Sequence, residues 1–132
     1  MKVFLPICLM FFSYLLGSIP FGILIGKLKG VDIRNYGSHN IGATNALRVL
    51  GPALGILVFI LDFSKGAIPI IITKYIINWP ADYPTYLIHP LIYGILAIIG
   101  HLFPVFLKFK GGKGIAATAG LILAFHWPFL IV

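Results

Sequence analysis

Long apolar runs alternate with short polar stretches along the chain. Residues 3–25 carry no formal charge. At 1.5 Å per residue they reach roughly 34 Å, enough to cross a bilayer as a helix. The run is longer than a secretory leader's apolar core and ends without a small-residue cleavage pattern, so it reads as a retained helix. Pro20 lies inside it and lacks the N–H that would close a helical turn, which predicts a kink there. Residues 27–51 then read as a polar loop. Residues 52–77 form a second apolar run, with Pro52 suited to a first helical turn and with Asp62, Lys65 and Pro69 inside it. Residues 78–84 hold Trp79, Pro80, Asp82, Tyr83 and Pro84, a turn at the depth of an interfacial aromatic belt. Residues 86–107 predict a third helix, interrupted at Pro90 and Pro104. Residues 108–114 are a second polar loop. Residues 115–125 are apolar but too short to span alone. They end at His126-Trp127-Pro128 or run on to Val132.

The pattern therefore predicts an all-α integral membrane protein with about four transmembrane helices. Asp62 and Lys65 stand three apart and share a helix face, so they can neutralise each other or turn toward a cavity. That face must meet protein or water, because a charge at mid-membrane costs about 2.5–3.5 kcal/mol on insertion scales. Four spans by themselves leave it, with the Gly- and Pro-rich faces, in need of further neighbours. The chain ends in apolar sequence, so residues 1–132 read as one membrane-embedded domain truncated at its C-terminus.

Composition agrees. Hydrophobic residues make up 60% and charged residues 10%, against about 25% charged in soluble domains. Mean hydropathy is +1.05. The ten Lys and Arg against three Asp and no Glu give a net charge of +7. In a soluble protein that excess would point to nucleic acid. Here seven of the basic residues fall in the two loops, which the positive-inside rule places in the cytoplasm, with the N-terminus outside. The two helices between the loops return them to one side, so they can build one site. Cys8 is alone, which excludes a disulfide framework.

The two loops carry the candidate chemistry. The first reads Gly37-Ser-His-Asn-Ile-Gly-Ala-Thr-Asn-Ala-Leu-Arg48, and the second Phe109-Lys-Gly-Gly-Lys-Gly114. Gly allows close backbone approach, successive N–H groups cradle anions, and Arg48 offers a fork that matches phosphate. Ser38 and Thr44 add hydroxyls, and Lys110 and Lys113 add ammonium groups. The Gly-x4-Gly-Lys-Ser/Thr spacing of a nucleotide-binding P-loop is absent, as is any His/Cys cluster at metal spacing. Without Glu, paired-carboxylate acid–base catalysis has no carrier in the loops. A membrane enzyme acting on phosphates fits this set. A transporter or anion channel shares the broken helices and intramembrane charges, but no internal repeat is visible. A structural subunit would not need the Lys-Gly-Gly-Lys-Gly stretch.

These stretches resemble a known family. Together with Leu16-Gly-Ser-Ile-Pro-Phe-Gly22, Leu61-Asp-Phe-Ser-Lys-Gly66 and His101-x-Phe-Pro-Val-Phe-Leu-Lys-Phe-Lys-Gly-Gly-Lys-Gly114, they are similar to the bacterial acyl-phosphate:glycerol-3-phosphate acyltransferases, the PlsY family. The resemblance implies a bundle of about seven spans in the bacterial inner membrane, of which this chain corresponds to the first two-thirds. The family's third cytoplasmic motif has no counterpart here. It implies transfer of a fatty acyl group from acyl phosphate to the 1-hydroxyl of glycerol 3-phosphate, giving lysophosphatidic acid and phosphate, without metal or other cofactor and without nucleic acid as partner. By the same match Ser38, Thr44, Arg48 and Lys113 are the catalytic candidates. Asn40, Gly42, Asn45, His101, Lys110, Gly111 and Gly112 are the substrate-binding candidates, with Gly42, Asn45, Gly111 and Gly112 shaping an anion nest. His39 stays unassigned, and a phosphate group of the substrate is the expected proton acceptor.

Overall fold

The computed structural model describes residues 3–126, and every regular element in that range is helical. The helices are α1 Phe4–Ser18, α2 Phe21–Leu28, α3 Ala43–Leu50, α4 Pro52–Ile71, α5 Thr85–Ile88, α6 Pro90–Leu102 and α7 Ile115–His126. Single 3₁₀ turns occupy Ile33–Asn35 and Val105–Leu107, and a π-helical turn, Ile72–Ile76, prolongs α4 beyond Pro69.

Two of these helices, continued through their last turns, are long and apolar enough to cross a membrane among the described residues: Pro52–Ile76 and Pro90–Leu107. The pair α1 and α2 makes a third if taken as one span bent by 44°. The bend falls at Ile19-Pro20, where Pro20 cannot continue the hydrogen-bond ladder. The fourth expected span begins with α7; its continuation and the turn at Trp127-Pro128 lie outside the described residues.

Two expectations from the sequence are corrected. The stretch 27–51 is not a simple loop. Helix α2 runs on to Leu28, and the second half of the first motif is α3, which folds back along α4 through Gly51 at φ +88°. Helix α3 is amphipathic: Ala46 is fully buried beside Ile25, Ile33 and Val58. The third apolar run is also divided. Residues 85–88 form a separate turn of helix, and Pro90 starts α6 as a first-turn proline.

The bundle is held by small residues. Gly66 of α4 lies against the Ala117 backbone of α7, and Gly120 of α7 against the Phe63 backbone of α4, so any side chain there would overlap the neighbouring carbonyl. Gly17 of α1 meets Ala97 of α6 in the same way. In lipid, where burial of apolar side chains supplies little drive between helices, such close approach is what joins them. The Asp62–Lys65 face meets protein and a cavity, as its charges require. Both side chains are at most 2% exposed, and the Lys65 ammonium donates to the Ile19 carbonyl at 2.9 Å, a group freed by the α1–α2 break. The broken helix thus provides the partner that the buried lysine needs.

Candidate phosphate site

The first motif folds around Asn45, in the first turn of α3 and 1% exposed. The two N–H groups of its carboxamide nitrogen are shared among the carbonyls of Ile33 at 2.8 Å, Asn40 at 2.9 Å and, more weakly, Tyr36 at 3.2 Å. Its oxygen accepts the Ser38 N–H at 2.9 Å. One side chain therefore replaces the secondary structure that residues 36–42 lack. Gly37, at φ +60°, could carry no side chain, because a Cβ would overlap the Asn45 carboxamide oxygen. His39 also sits in the left-handed region, at φ +58°, with its Nδ1 2.8 Å from the Arg34 carbonyl. The Asn40 carboxamide accepts the Gly42 N–H at 2.9 Å and leads the chain into α3. Outside this core, Asp32 pairs with Arg34 at 2.6 Å, and the guanidinium holds the Asp32 carboxyl down at about 2.

The second motif is seated on the end of α6. The Gly111 N–H donates to the Leu102 carbonyl and the Gly112 N–H to the His101 carbonyl, both at 3.1 Å. These glycines fit because a Cβ on Gly111 would overlap the His101 and Leu102 carbonyls, and one on Gly112 would overlap His101 Nε2. Lys108 and Phe109, at φ +51° and +63°, turn the chain toward this seat. Tyr14 of α1 braces it by donating to the Phe103 carbonyl at 2.8 Å.

Between the two motifs lies a cavity of about 360 Å³. Ser38, Asn40, Gly42, Thr44, Asn45 and Arg48 line it from the first motif, and Lys113 and Gly114 from the second. His101, Asp62 and Phe59 complete its wall with Ala43, Ile115 and Ala116. The first turns of α3 and α7 both border it. The first N–H groups of a helix have no intrahelical acceptor, and two such ends with Arg48 and Lys113 make a strongly anion-attracting space. Lys110, Gly111 and Gly112 do not line it; the two glycines direct their N–H groups at α6. The backbone donors around the cavity are thus helix ends, a feature hidden in sequence because α3 is only eight residues long. Asp62 is not among the site candidates of the sequence; of the two readings left open for its pair with Lys65, the structure shows both, the ion pair and a place in the cavity wall. Among the described residues no group of three or more His, Cys, Asp or Glu side chains converges as metal ligands would.

Comparison with known proteins matches this arrangement. Residues 7–132 match the family described as glycerol-3-phosphate acyltransferase. The chain is 50% identical over 121 residues to glycerol-3-phosphate acyltransferase 2 of Lactobacillus acidophilus, an alignment covering 91% of this chain and 54% of that protein. It is 49% identical over 119 residues to the glycerol-3-phosphate acyltransferase of Aquifex aeolicus, covering 88% and 57%. The crystal structure of PlsY, an integral membrane glycerol 3-phosphate acyltransferase in its glycerol 3-phosphate form, superposes with a TM-score of 0.80 at 45% identity, over 96% of this chain and 60% of that one. Its lysophosphatidic acid form superposes at 0.77. The chain spans a little over half the length of the relatives it matches. With motifs, cavity and fold in agreement, the chain belongs to the glycerol-3-phosphate acyltransferase family.

Proposed function

We propose that residues 1–132 are the larger part of a membrane-embedded domain that transfers a fatty acyl group from acyl phosphate to the 1-hydroxyl of glycerol 3-phosphate. The observation that carries this reading is the cavity itself. Two helix N-termini, Arg48 and Lys113 border it, and it adjoins apolar helices suited to a lipid tail. Both substrates carry phosphate and one carries an acyl chain. The solved relatives in glycerol 3-phosphate and lysophosphatidic acid forms support the acceptor and the product. The acyl phosphate donor is what the motif resemblance implies; as an activated mixed anhydride it would need alignment and charge stabilisation more than a strong base, which suits this lining.

In this reading Arg48 and Lys113 hold the phosphates and stabilise the charge that develops as the tetrahedral intermediate forms. Ser38 and Thr44 donate hydrogen bonds to phosphate or to the reacting carbonyl oxygen. Asn40, Gly42 and Asn45 set the shape of the pocket, and His101 borders the acceptor. Gly111 and Gly112 seat Lys113, and Lys110 attracts anions from outside the cavity. The acceptor's 1-hydroxyl oxygen attacks the acyl carbon, the bond from that carbon to the phosphate oxygen breaks, and the departing phosphate takes the hydroxyl proton. Seven loop cations against Lys2 and Lys74 on the other side support a multi-pass bacterial inner-membrane orientation, with the N-terminus outside and both motifs cytoplasmic.

The test is phosphate release from acyl phosphate by the chain in lipid, with and without glycerol 3-phosphate. Release dependent on glycerol 3-phosphate supports the reading. Release that ignores it, or glycerol 3-phosphate transport without chemistry, refutes it. Silence that a C-terminal extension cures would assign the missing part to the remaining segment of the family's length.

A further inference from the structure

The cavity wall contains an acid in a space otherwise rich in hydrogen-bond donors. Asp62 is 2% exposed and its Oδ1 lies 2.8 Å from the Lys65 ammonium. The same oxygen stands 3.8 Å from His101 Nδ1, and His101 is 4% exposed. Neither of these two atoms has a well-directed hydrogen-bond partner. Buried polar atoms in native proteins are nearly always satisfied, so such a facing pair needs a reason. Lys65 is fixed from its other side by the Ile19 carbonyl, which anchors the carboxylate in turn. On the far edge of the imidazole, Nε2 lies beside Gly112, where a Cβ would overlap it, and His101 itself borders the cavity.

We propose that Asp62 is a positioning residue: it sets the ring of His101 with the proton on Nδ1, directed at the carboxylate, and the Nε2 lone pair turned to the cavity as an acceptor for a hydroxyl of the glycerol moiety. The charges support this arrangement. One carboxylate already balances one ammonium, so the wall has no counter-charge for an imidazolium. A neutral imidazole beside a carboxylate donates to it from the nearer nitrogen and accepts at the other. The phosphate of the acceptor then lies toward Arg48, Lys113 and the helix N-termini, and its hydroxyl end lies toward the wall. Asp62 thereby helps distinguish glycerol 3-phosphate from phosphate alone. The substrate half of this inference rests on the function proposed above; the ring orientation does not.

The experiment is ¹⁵N NMR of the histidine rings in the chain reconstituted in lipid, with the His101 signal assigned by its loss in His101→Gln. The expected spectrum shows protonated Nδ1 and unprotonated Nε2. The paired variant Asp62→Leu/Lys65→Met, which removes the acceptor and both charges of the wall together, should lose that single tautomer. Glycerol 3-phosphate should shift the Nε2 signal, and inorganic phosphate should not. In turnover, the same variant should raise KM for glycerol 3-phosphate about 10-fold, as for one lost hydrogen bond to a buried group, with KM for acyl phosphate unchanged. A proton on Nε2, a tautomer unaffected by the paired variant, or equal shifts from both ligands would overturn the proposal. Inactivity that a C-terminal extension does not cure, with the Nδ1–H ring present and lost in the paired variant, would count against the reaction and in favour of the role of Asp62.

Discussion

The Asn45 carboxamide oxygen accepts the Ser38 backbone N–H at 2.9 Å, so a buried side chain of α3 fixes the exposed Ser38 at the cavity rim. Asn45→Ala would leave the carbonyls of Ile33, Tyr36 and Asn40 and the Ser38 N–H without this partner. At about 1 kcal/mol per bond, with partial rescue by water, the expected loss is about 2–3 kcal/mol. Thermal unfolding in detergent checks it, and turnover should fall further than stability because Ser38 loses its place.

Breaking the buried ion pair on one side should be worse than removing it. Asp62→Ala leaves the Lys65 ammonium with the Ile19 carbonyl and the face of the Phe21 ring but no counter-charge in contact, and an uncompensated buried charge costs about 3–5 kcal/mol. The paired Asp62→Leu/Lys65→Met variant should cost clearly less. Expression level and unfolding temperature in the same detergent decide between the two; equal losses would mean the pair contributes nothing as a pair.

The crossing of α4 and α7 depends on the absence of a side chain at Gly66. Gly66→Val would push against the Ala117 carbonyl and should destabilise by about 1–3 kcal/mol. Because α7 delivers its first turn to the cavity, substrate binding should weaken along with stability. A variant that binds normally would show the two helices to be independent.

Arg48 and Lys113 reach the cavity from opposite motifs. If each stabilises charge in the transition state, Lys113→Ala should lower kcat by about 10²–10³-fold. Arg48→Lys should recover only part of the Arg48→Ala loss, because an ammonium cannot reproduce the planar fork. Full turnover by Lys113→Ala, in a chain extended to the family's length if the present one is inactive, would remove the second motif from the chemistry.

The Asp32–Arg34 pair gives a pH signature outside the membrane. The Asp32 carboxyl falls from the ordinary 3.8 to about 2, chiefly through its hydrogen bond with the Arg34 side chain. Its contribution is therefore present above pH 3.8 and is lost as pH falls through about 2. No change is expected from this pair near neutrality. In Arg34→Ala the carboxyl should rise toward its ordinary value but stay below it, because the backbone N–H of residue 34 still donates to it, as NMR of the labelled aspartate would register.

Some of this was legible in the order of residues. The uncharged run at 3–25 and the break at Pro20 follow from the insolubility of apolar helices and from the N–H that proline lacks. The two Gly-rich stretches marked the site because short polar side chains beside glycine are unusual between membrane helices. Helix α3 was not legible, since Gly42 and an eight-residue amphipathic turn look like loop until α4 is there to pack against. Nor was the duty of Gly111 and Gly112, because whether a glycine N–H meets a ligand or a helix end depends on what the fold brings beneath it.

The sequence by itself determined that the protein is helical and apolar enough to lie in a membrane, that seven of its ten Lys and Arg fall in two polar stretches, and that its motifs resemble those of one acyltransferase family. Hydropathy and local backbone chemistry suffice for the first two, because they concern each segment in isolation; the family likeness rests on the motifs. Only the tertiary structure decided that the Lys65 ammonium meets the Ile19 carbonyl 46 residues away, that the first turns of α3 and α7 border one cavity, and that Asp62 faces His101 in its wall. Those relations depend on how closely helices approach, which is set by the fit of Gly66, Gly120 and Gly17 against distant backbone and by the need of each buried charge for a partner.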